Sequence, residues 1–255
     1  MREFWRLGDC EIERLIALAS EADCVELKLL VPQAIHTAVC ANLGVDLESL
    51  RARTVYFLDT PDRALAHHGM VLRVRSIPRT PDHSVVKLRP VAPDEVPARL
   101  RNSKRFVVEI DVMPGGYVCS GALKARLGVR DVERAMAGRR PLQALFSKRQ
   151  IALFARHAPA GVQIDDLSPL GPVDARRRKV RLEGLSLTLL VERWTYPDNF
   201  AILELSTRCQ ASHALPVLAQ TAAALSACGV APSAAQQTKT RTTLDVFSSD
   251  RAIAD

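Results

Sequence analysis

Residues 70–89 read Met-Val-Leu-Arg-Val-Arg-Ser-Ile-Pro-Arg-Thr-Pro-Asp-His-Ser-Val-Val-Lys-Leu-Arg, two extended runs around a Pro/Asp turn. Arg73 and Arg75 alternate with Leu72 and Val74 in the first run, and Lys87 and Arg89 alternate with Val86 and Leu88 in the second. Successive side chains on a strand point to opposite faces, so the four cations share one face and the aliphatics the other. Val85 is the one apolar residue on the charged face. Two architectures suit such a pair. One is a half-exposed hairpin with its charges in water. The other is a closed barrel with its aliphatic side under helices and its charges lining a central channel.

The flanking sequence repeats the segregation. In Val25 to Val31, Glu26 and Lys28 share a face with Cys24, opposite Val25, Leu27 and Leu29. In Arg105 to Val112, Arg105, Glu109 and Asp111 oppose Phe106, Val108, Ile110 and Val112. Leu187 to Trp194 and Phe200 to Thr207 form a hairpin around Pro197-Asp198-Asn199, carrying Glu192 on one arm and Glu204 with Ser206 on the other. Arg53 to Asp59 and Val173 to Leu182 complete roughly eight strands, the number at which a barrel encloses a side-chain-lined channel or one small ligand. Val173 to Leu182 holds the run Arg176, Arg177, Arg178, Lys179 and Arg181. Such a run is a solvated face or a nucleic-acid footprint, and without an aromatic stacking platform nucleic acid ranks lowest among the partners.

Helices fill the intervals. Glu11 to Ala22 is amphipathic, Pro32 to Leu43 is closed by Gly44, Ser147 to His157 and Leu215 to Cys228 follow, and Ala122 to Leu145 reads as two short helices. Pro114-Gly115-Gly116 reads as a turn, and Pro90 to Ser103 as a loop. Thr60-Pro61-Asp62 opens a helical turn ending at Gly69. His67 and His68 in it point in different directions with no third partner nearby, which favours a solvated turn over a metal site. The predicted organisation is an N-terminal helical extension over residues 1–22, one domain over 23–247, and a disordered tail over 248–255.

Composition bounds the function. The 255 residues carry a net charge of +7 and are 47% apolar, enough for a core and a bias towards polyanionic partners. Six scattered cysteines without a CxxC indicate neither a zinc knot nor a disulfide framework, and the expected location is the reducing cytoplasm. No stretch reaches about 18 uninterrupted apolar residues, so a membrane span is not expected.

The charged faces collect Lys28, Arg73, Arg75, Lys87, Arg89 and Arg105 together with Glu26, Glu109, Asp111, Glu192 and Glu204. Inside dry protein each unpaired ion costs several kcal/mol, so an interior location demands water, mutual pairing, metal or an anionic ligand. Arg and Lys grip phosphoryl oxygens, and clustered carboxylates hold Mg²⁺ or Mn²⁺, so the mixture suits a metal-bound oligophosphate.

Cys24-Val25-Glu26-Leu27-Lys28, Tyr56-Phe57-Leu58-Asp59-Thr60-Pro61-Asp62, Leu72-Arg73-Val74-Arg75, Val86-Lys87-Leu88-Arg89, Val108-Glu109-Ile110-Asp111 and Ile202-Leu203-Glu204-Leu205-Ser206 together resemble the CYTH family of triphosphate tunnel metalloenzymes. Leu170-Gly171-Pro172 and Gln237-Thr238-Lys239-Thr240-Arg241 add a likeness to bacterial CYTH proteins labelled adenylate cyclase by homology. The resemblance implies an α+β fold, an eight-stranded antiparallel β-barrel with helices packed outside, whose tunnel binds a triphosphate with a divalent cation. By the same resemblance Glu26, Glu109, Asp111 and Glu204 are expected metal ligands for Mg²⁺ or Mn²⁺. Lys28, Arg73, Arg75 and Lys87 are expected to act on the phosphates in catalysis, and Arg89, Arg105 and Lys239 to bind substrate.

Two positions depart from the family pattern: Cys24 stands where the first Glu of an ExExK signature is expected, and Ser206 where the last strand's second Glu is expected. Each loses a hard oxygen donor that Mg²⁺ prefers. The expected function is a metal-dependent phosphohydrolase acting on a triphosphate compound such as ATP, tripolyphosphate or thiamine triphosphate. The alternatives are a class IV-like adenylate cyclase making cyclic AMP and a non-catalytic nucleotide or polyphosphate binder. The sequence leaves the oligomeric state open.

Overall fold

The computed structural model describes residues 1–47, 49–181, 188–233 and 236–247. Alternating apolar and polar residues build nine strands: β1 (Cys24–Val31), β2 (Arg51–Asp59), β3 (Met70–Ser76), β4 (His83–Leu88), β5 (Phe106–Met113), β6 (Gly116–Arg126), β7 (Ser168–Arg181), β8 (Thr188–Thr195) and β9 (Ala201–Cys209). They close into one barrel in the order β1-β5-β6-β4-β3-β2-β7-β8-β9, with β9 returning to β1. The expected eight antiparallel strands are corrected to nine in a mixed barrel, because β1 and β5 run parallel. Strand directions cannot alternate all the way round a ring with an odd number of members, so one parallel seam is a geometric necessity.

The ninth strand is β6, whose second half, from Ala122, the sequence pattern predicts as helix. Ala122, Leu123, Lys124 and Ala125 are good helix formers, but β6 is paired along both edges, to β5 and to β4. Two ladders of backbone hydrogen bonds override a local propensity worth tenths of a kcal/mol per residue. The Pro114-Gly115 turn does join β5 to β6, with Met113 opposite Gly116 and Gly115 at φ +93°. On β7 the Gly171-Pro172 pair lies in a bulge, since Val55 pairs with Val173 while Phe57 pairs with Leu170. A proline cannot donate to the ladder and is accommodated where pairing is interrupted. Gly171, at φ +150°, has no room for a side chain, since a Cβ would lie 2.9 Å from the Val55 carbonyl oxygen.

The helices are α1 (Arg2–Trp5), α2 (Asp9–Ala19), α3 (His36–Asn42), α4 (Ala64–His67), α5 (Ala98–Arg101), α6 (Asp131–Met136), α7 (Lys148–His157), α8 (Ala214–Ala227) and α9 (Lys239–Val246). The interval read as a loop, 90–103, thus contains α5. Barrel residues Val25, Leu27, Leu72, Val74, Val86, Val108 and Ile110 pack with Trp5, Leu15, Leu153, Phe154, Val217 and Leu218 from the helices. A second outer cluster joins Leu29, Val191, Leu203 and Leu205 to Val39, Cys40 and Leu225. The aliphatic face of the barrel is therefore the outer one, covered by helices, and the charged face is turned inward.

Polar contacts fix the covering. The Trp5 indole Nε1 donates to the Leu218 carbonyl at 2.9 Å, tying α1 to α8. Ser147 caps α7 by accepting from the Gln150 backbone N–H. The buried Gln150 side chain donates to the Leu123 carbonyl at 3.0 Å and accepts from Ser84 Oγ at 3.1 Å. Among the described residues no helix is long and apolar enough to cross a membrane. The tail expected over 248–255, together with Leu182 and Leu187 at strand ends, lies outside the described residues.

Candidate functional site

Inside the barrel is a cavity of about 740 Å³. Its cationic lining comes from Lys28, Arg53, Arg73, Arg75, Lys87, Arg89, Lys124, Arg177, Lys179, Arg208 and Lys239, against four carboxylates, those of Glu26, Glu109, Glu192 and Glu204. Among the described residues no Phe, Tyr or Trp lines it, and its aromatic ring is the imidazole of His83. The same inward rows turn apolar at one end. Leu30 follows Lys28, Phe57 follows Arg53, Trp194 follows Glu192, and Ile202 precedes Glu204, and these residues pack together with Val55, Val173 and Tyr196. This floor closes one end of the bore, and Lys239, the first residue of α9, reaches the cavity beside it. The Lys239 ammonium lies 5.0 Å from the Trp194 ring centroid.

The first polar group in the wall joins β1, β5 and β4. Side by side, parallel β1 and β5 place Glu26 opposite Asp111. Oxygens of Glu26, Glu109 and Asp111 lie within 4.8 Å of one another. Lys28 Nζ donates to Asp111 at 2.7 Å and lies 3.4 Å from Glu26. Lys87 Nζ lies 3.1 Å from Glu109 and 3.2 Å from Asp111, and Arg89 completes the set at 3.5 Å from Asp111. Burial alone would raise the Asp111 carboxyl, but Lys28, Lys87 and Arg89 outweigh it and hold the group far below the usual range. For Glu109, burial is likewise overcome, chiefly by Lys87, leaving it at about 2. Lys28 is pushed up despite its burial, by Asp111 and Glu26. As a donor set, three adjacent carboxylates supply the hard oxygens that Mg²⁺ or Mn²⁺ takes.

A second group sits near the floor. Glu192 and Glu204 face each other across β8 and β9. Lys239 Nζ contacts both, at 2.8 Å from Glu204. Burial at Glu192 is outweighed by Lys239, which holds the carboxyl at about 2. At Glu204 burial prevails over Lys239 and Lys28, and its pKa is raised.

The third group is cationic. Arg53, Arg73 and Arg75 line the cavity and have no ion pair with a carboxylate among the described residues. Nε of Arg53 and of Arg75 is buried without a hydrogen-bond partner. Burial, with Arg73 adding repulsion, lowers Arg75 to about 9, and burial with Arg177 lowers Arg53 to about 10. A guanidinium kept dry and beside its own kind is costly unless an anion completes the site.

The structure therefore brings Lys28, Arg73, Arg75, Lys87, Arg89, Lys239, Glu26, Glu109 and Glu204 to one cavity, with Asp111 fully buried behind Lys28 and Lys87. Arg105 is not among them. It precedes β5 in an exposed turn, outside the cavity. Glu204 stands with Glu192 and Lys239 rather than with the carboxylate trio. Ser206 lines the wall, whereas Cys24 is buried and its thiol is pushed up by burial to about 11, hence neutral.

Five cations in the wall are not assigned to the channel by the sequence: Arg53, Lys124 and Arg208, with Arg177 and Lys179 of the basic run, which the sequence reads as a solvated face or a nucleic-acid footprint. Period two could have found Arg208, two residues beyond Ser206 on the same face as Glu204. It also divides the basic run, since Arg177 and Lys179 line the cavity while Arg176 pairs with Asp174 at 3.0 Å and Arg178 donates to Ser49 Oγ at 3.3 Å.

No family model matches the sequence, and no curated protein matches it. Among solved structures the chain is similar to a Bacillus halodurans protein provisionally described as an adenylate cyclase, with a TM-score of 0.59 and 14% identity over 86% of this chain and 97% of that one. It is similar to a Hippeastrum protein provisionally described as an adenylyl cyclase and found to have a dominant triphosphatase activity. That match has a TM-score of 0.61 and 17% identity over 87% of this chain and 95% of the other. At such identities the likeness establishes a shared fold.

Proposed function

We propose that the protein is a CYTH-type triphosphate hydrolase that takes its substrate into the barrel bore. The observation that carries this reading is the surplus of cations facing the cavity, above all Arg53, Arg73 and Arg75 without carboxylate partners. A triphosphate supplies several negative charges in a row, matching cations on successive strands better than a single carboxylate or phosphate would. Eleven Lys and Arg side chains line the described wall against one ring, the imidazole of His83, a lining that favours inorganic tripolyphosphate, held by ionic contacts alone, over a substrate whose base must stack.

In this reading Arg73 and Arg75 hold oxygens of the phosphoryl group being transferred, and Lys28, Lys87 and Arg89 hold the rest of the chain. Water adds to the terminal phosphorus and gives up a proton to a phosphate oxygen, the bridging P–O bond breaks with its electron pair staying on the shortened chain, and the fixed cations stabilise charge on the separating groups. Mg²⁺ or Mn²⁺ held by Glu26, Glu109 and Asp111 would neutralise phosphate charge and lower the pKa of water. Glu192 and Glu204 fix Lys239 at the inner end of the bore.

The test is product identification by ³¹P NMR after incubating the protein with tripolyphosphate, ATP or thiamine triphosphate under Mg²⁺ and Mn²⁺. Orthophosphate with a chain shortened by one phosphate is expected, fastest from tripolyphosphate. Cyclic AMP with pyrophosphate would establish the cyclase instead, and tight binding without turnover would establish a non-catalytic binder.

A further inference from the structure

The carboxylate trio is already occupied by a cation of the chain itself. Arg208, on the inner face of β9, lies 3.2 Å from Glu26 through its Nη2, and the same nitrogen donates a hydrogen bond to Glu109. It thus bridges two of the three groups that would ligate a divalent ion. With Lys28, Lys87 and Arg89 the trio has four cationic neighbours for three carboxylates, and Cys24 beside it adds no charge. A metal ion arriving alone would meet net repulsion and would have to displace a bonded guanidinium. Arg208 differs from the other three in being 46% exposed, at the wall away from the apolar floor. It can therefore turn from carboxylate to an incoming phosphate, a partner that a guanidinium binds with two parallel hydrogen bonds.

Building on the proposed triphosphate function, we infer that Arg208 is a built-in counter-ion. It keeps the Glu26–Glu109–Asp111 group closed to free divalent cation until a phosphate chain draws the guanidinium away. Arg208 is in this sense a positioning residue. It makes metal uptake depend on the anion, so that metal and phosphate chain enter together. The coupling is reciprocal, because whatever frees the carboxylates for the cation also brings a guanidinium onto the phosphates.

The experiment measures Mn²⁺ binding without any phosphate compound, by the loss of the free-ion EPR signal, for the wild type, Arg208→Gln, Arg208→Lys and the double variant Arg208→Gln/Glu109→Gln. Arg208→Gln is expected to bind Mn²⁺ at least tenfold more tightly than the wild type. Arg208→Lys should stay within threefold of the wild type, and Glu109→Gln should abolish the gain. A structural role for Arg208 predicts no gain of affinity on its removal.

Wild-type NMR gives a second readout that needs no variant. The Arg208 Nε resonance should stay in place on adding Mg²⁺ alone and move when Mg²⁺ and tripolyphosphate are added together. Equal Mn²⁺ affinity in the wild type and Arg208→Gln, a gain that survives Glu109→Gln, or an Nε shift with Mg²⁺ alone would each overturn the inference. Failure of the triphosphate reading itself would show separately, as no effect of tripolyphosphate on the wild-type spectrum, while the Mn²⁺ comparison stood unchanged.

Discussion

Replacing Arg75 by methionine separates a binding cation from a structural one. The guanidinium is held at about 9, from an ordinary 12.5, by burial and by Arg73. A base whose folded pKa is depressed destabilises the folded state at every pH below the folded value, and the penalty fades as pH rises from there towards the unfolded value. The full shift corresponds to about 5 kcal/mol at neutral pH. The attraction to Glu192 is already contained in that value; water in the cavity screens the rest, and about 1–3 kcal/mol is expected to be recovered when the charge is removed. Arg75→Met should therefore raise the melting temperature of the free protein by about 2–12 °C. Calorimetry with and without tripolyphosphate is the assay. The wild type should be stabilised by the ligand, and the variant should melt higher alone but respond little to it. A variant that melts lower than the wild type and is still fully stabilised by tripolyphosphate would refute the reasoning, because Arg75 would then be a structural residue.

Other consequences are as direct. Lys87→Met removes a partner from both Glu109 and Asp111 and should cost about 3 kcal/mol in denaturant unfolding at pH 7; an unchanged midpoint would count against the buried network. Glu109 and Glu192, both held at about 2, contribute stability above pH 4.5 that is lost as pH falls towards 2. The raised Glu204 opposes this trend, since its folded form takes up a proton first. A net loss of about 2–4 kcal/mol between pH 5 and 3 is expected from urea titrations, and a flat profile would contradict the assigned pairing. Gly121→Ala would put a Cβ 2.5 Å from Phe106 Cζ and should destabilise by about 1–3 kcal/mol; Phe106→Leu in the same chain should restore part of the loss.

The inward charges were legible because strand periodicity is local: Arg73 and Arg75, Lys87 and Arg89, and Glu109 and Asp111 each show it within a few residues. The strand count was not legible, since what makes β6 a strand is pairing with β4 and β5, which leaves no mark on Ala122–Ala125. Arg105 looked like a member of the charged face because it keeps the period of Glu109 and Asp111. The strand begins one residue later, at Phe106, and the side chain escapes to solvent. Arg208 shared the period of Glu204 and Ser206 but became significant when the parallel β1–β5 seam brought Glu26 and Glu109 within its reach. That seam follows from closing an odd number of strands, a property of the ring and of no single segment.

The most direct test of the central claim is calorimetric titration of tripolyphosphate, pyrophosphate and orthophosphate into the wild type at about 0.15 M salt, where surface charges are screened beyond about 8 Å. One-to-one binding that tightens with each added phosphate, and collapses in Arg73→Met/Arg75→Met, is the predicted result. Weak binding of all three ions, indifferent to chain length and to those two arginines, would contradict it.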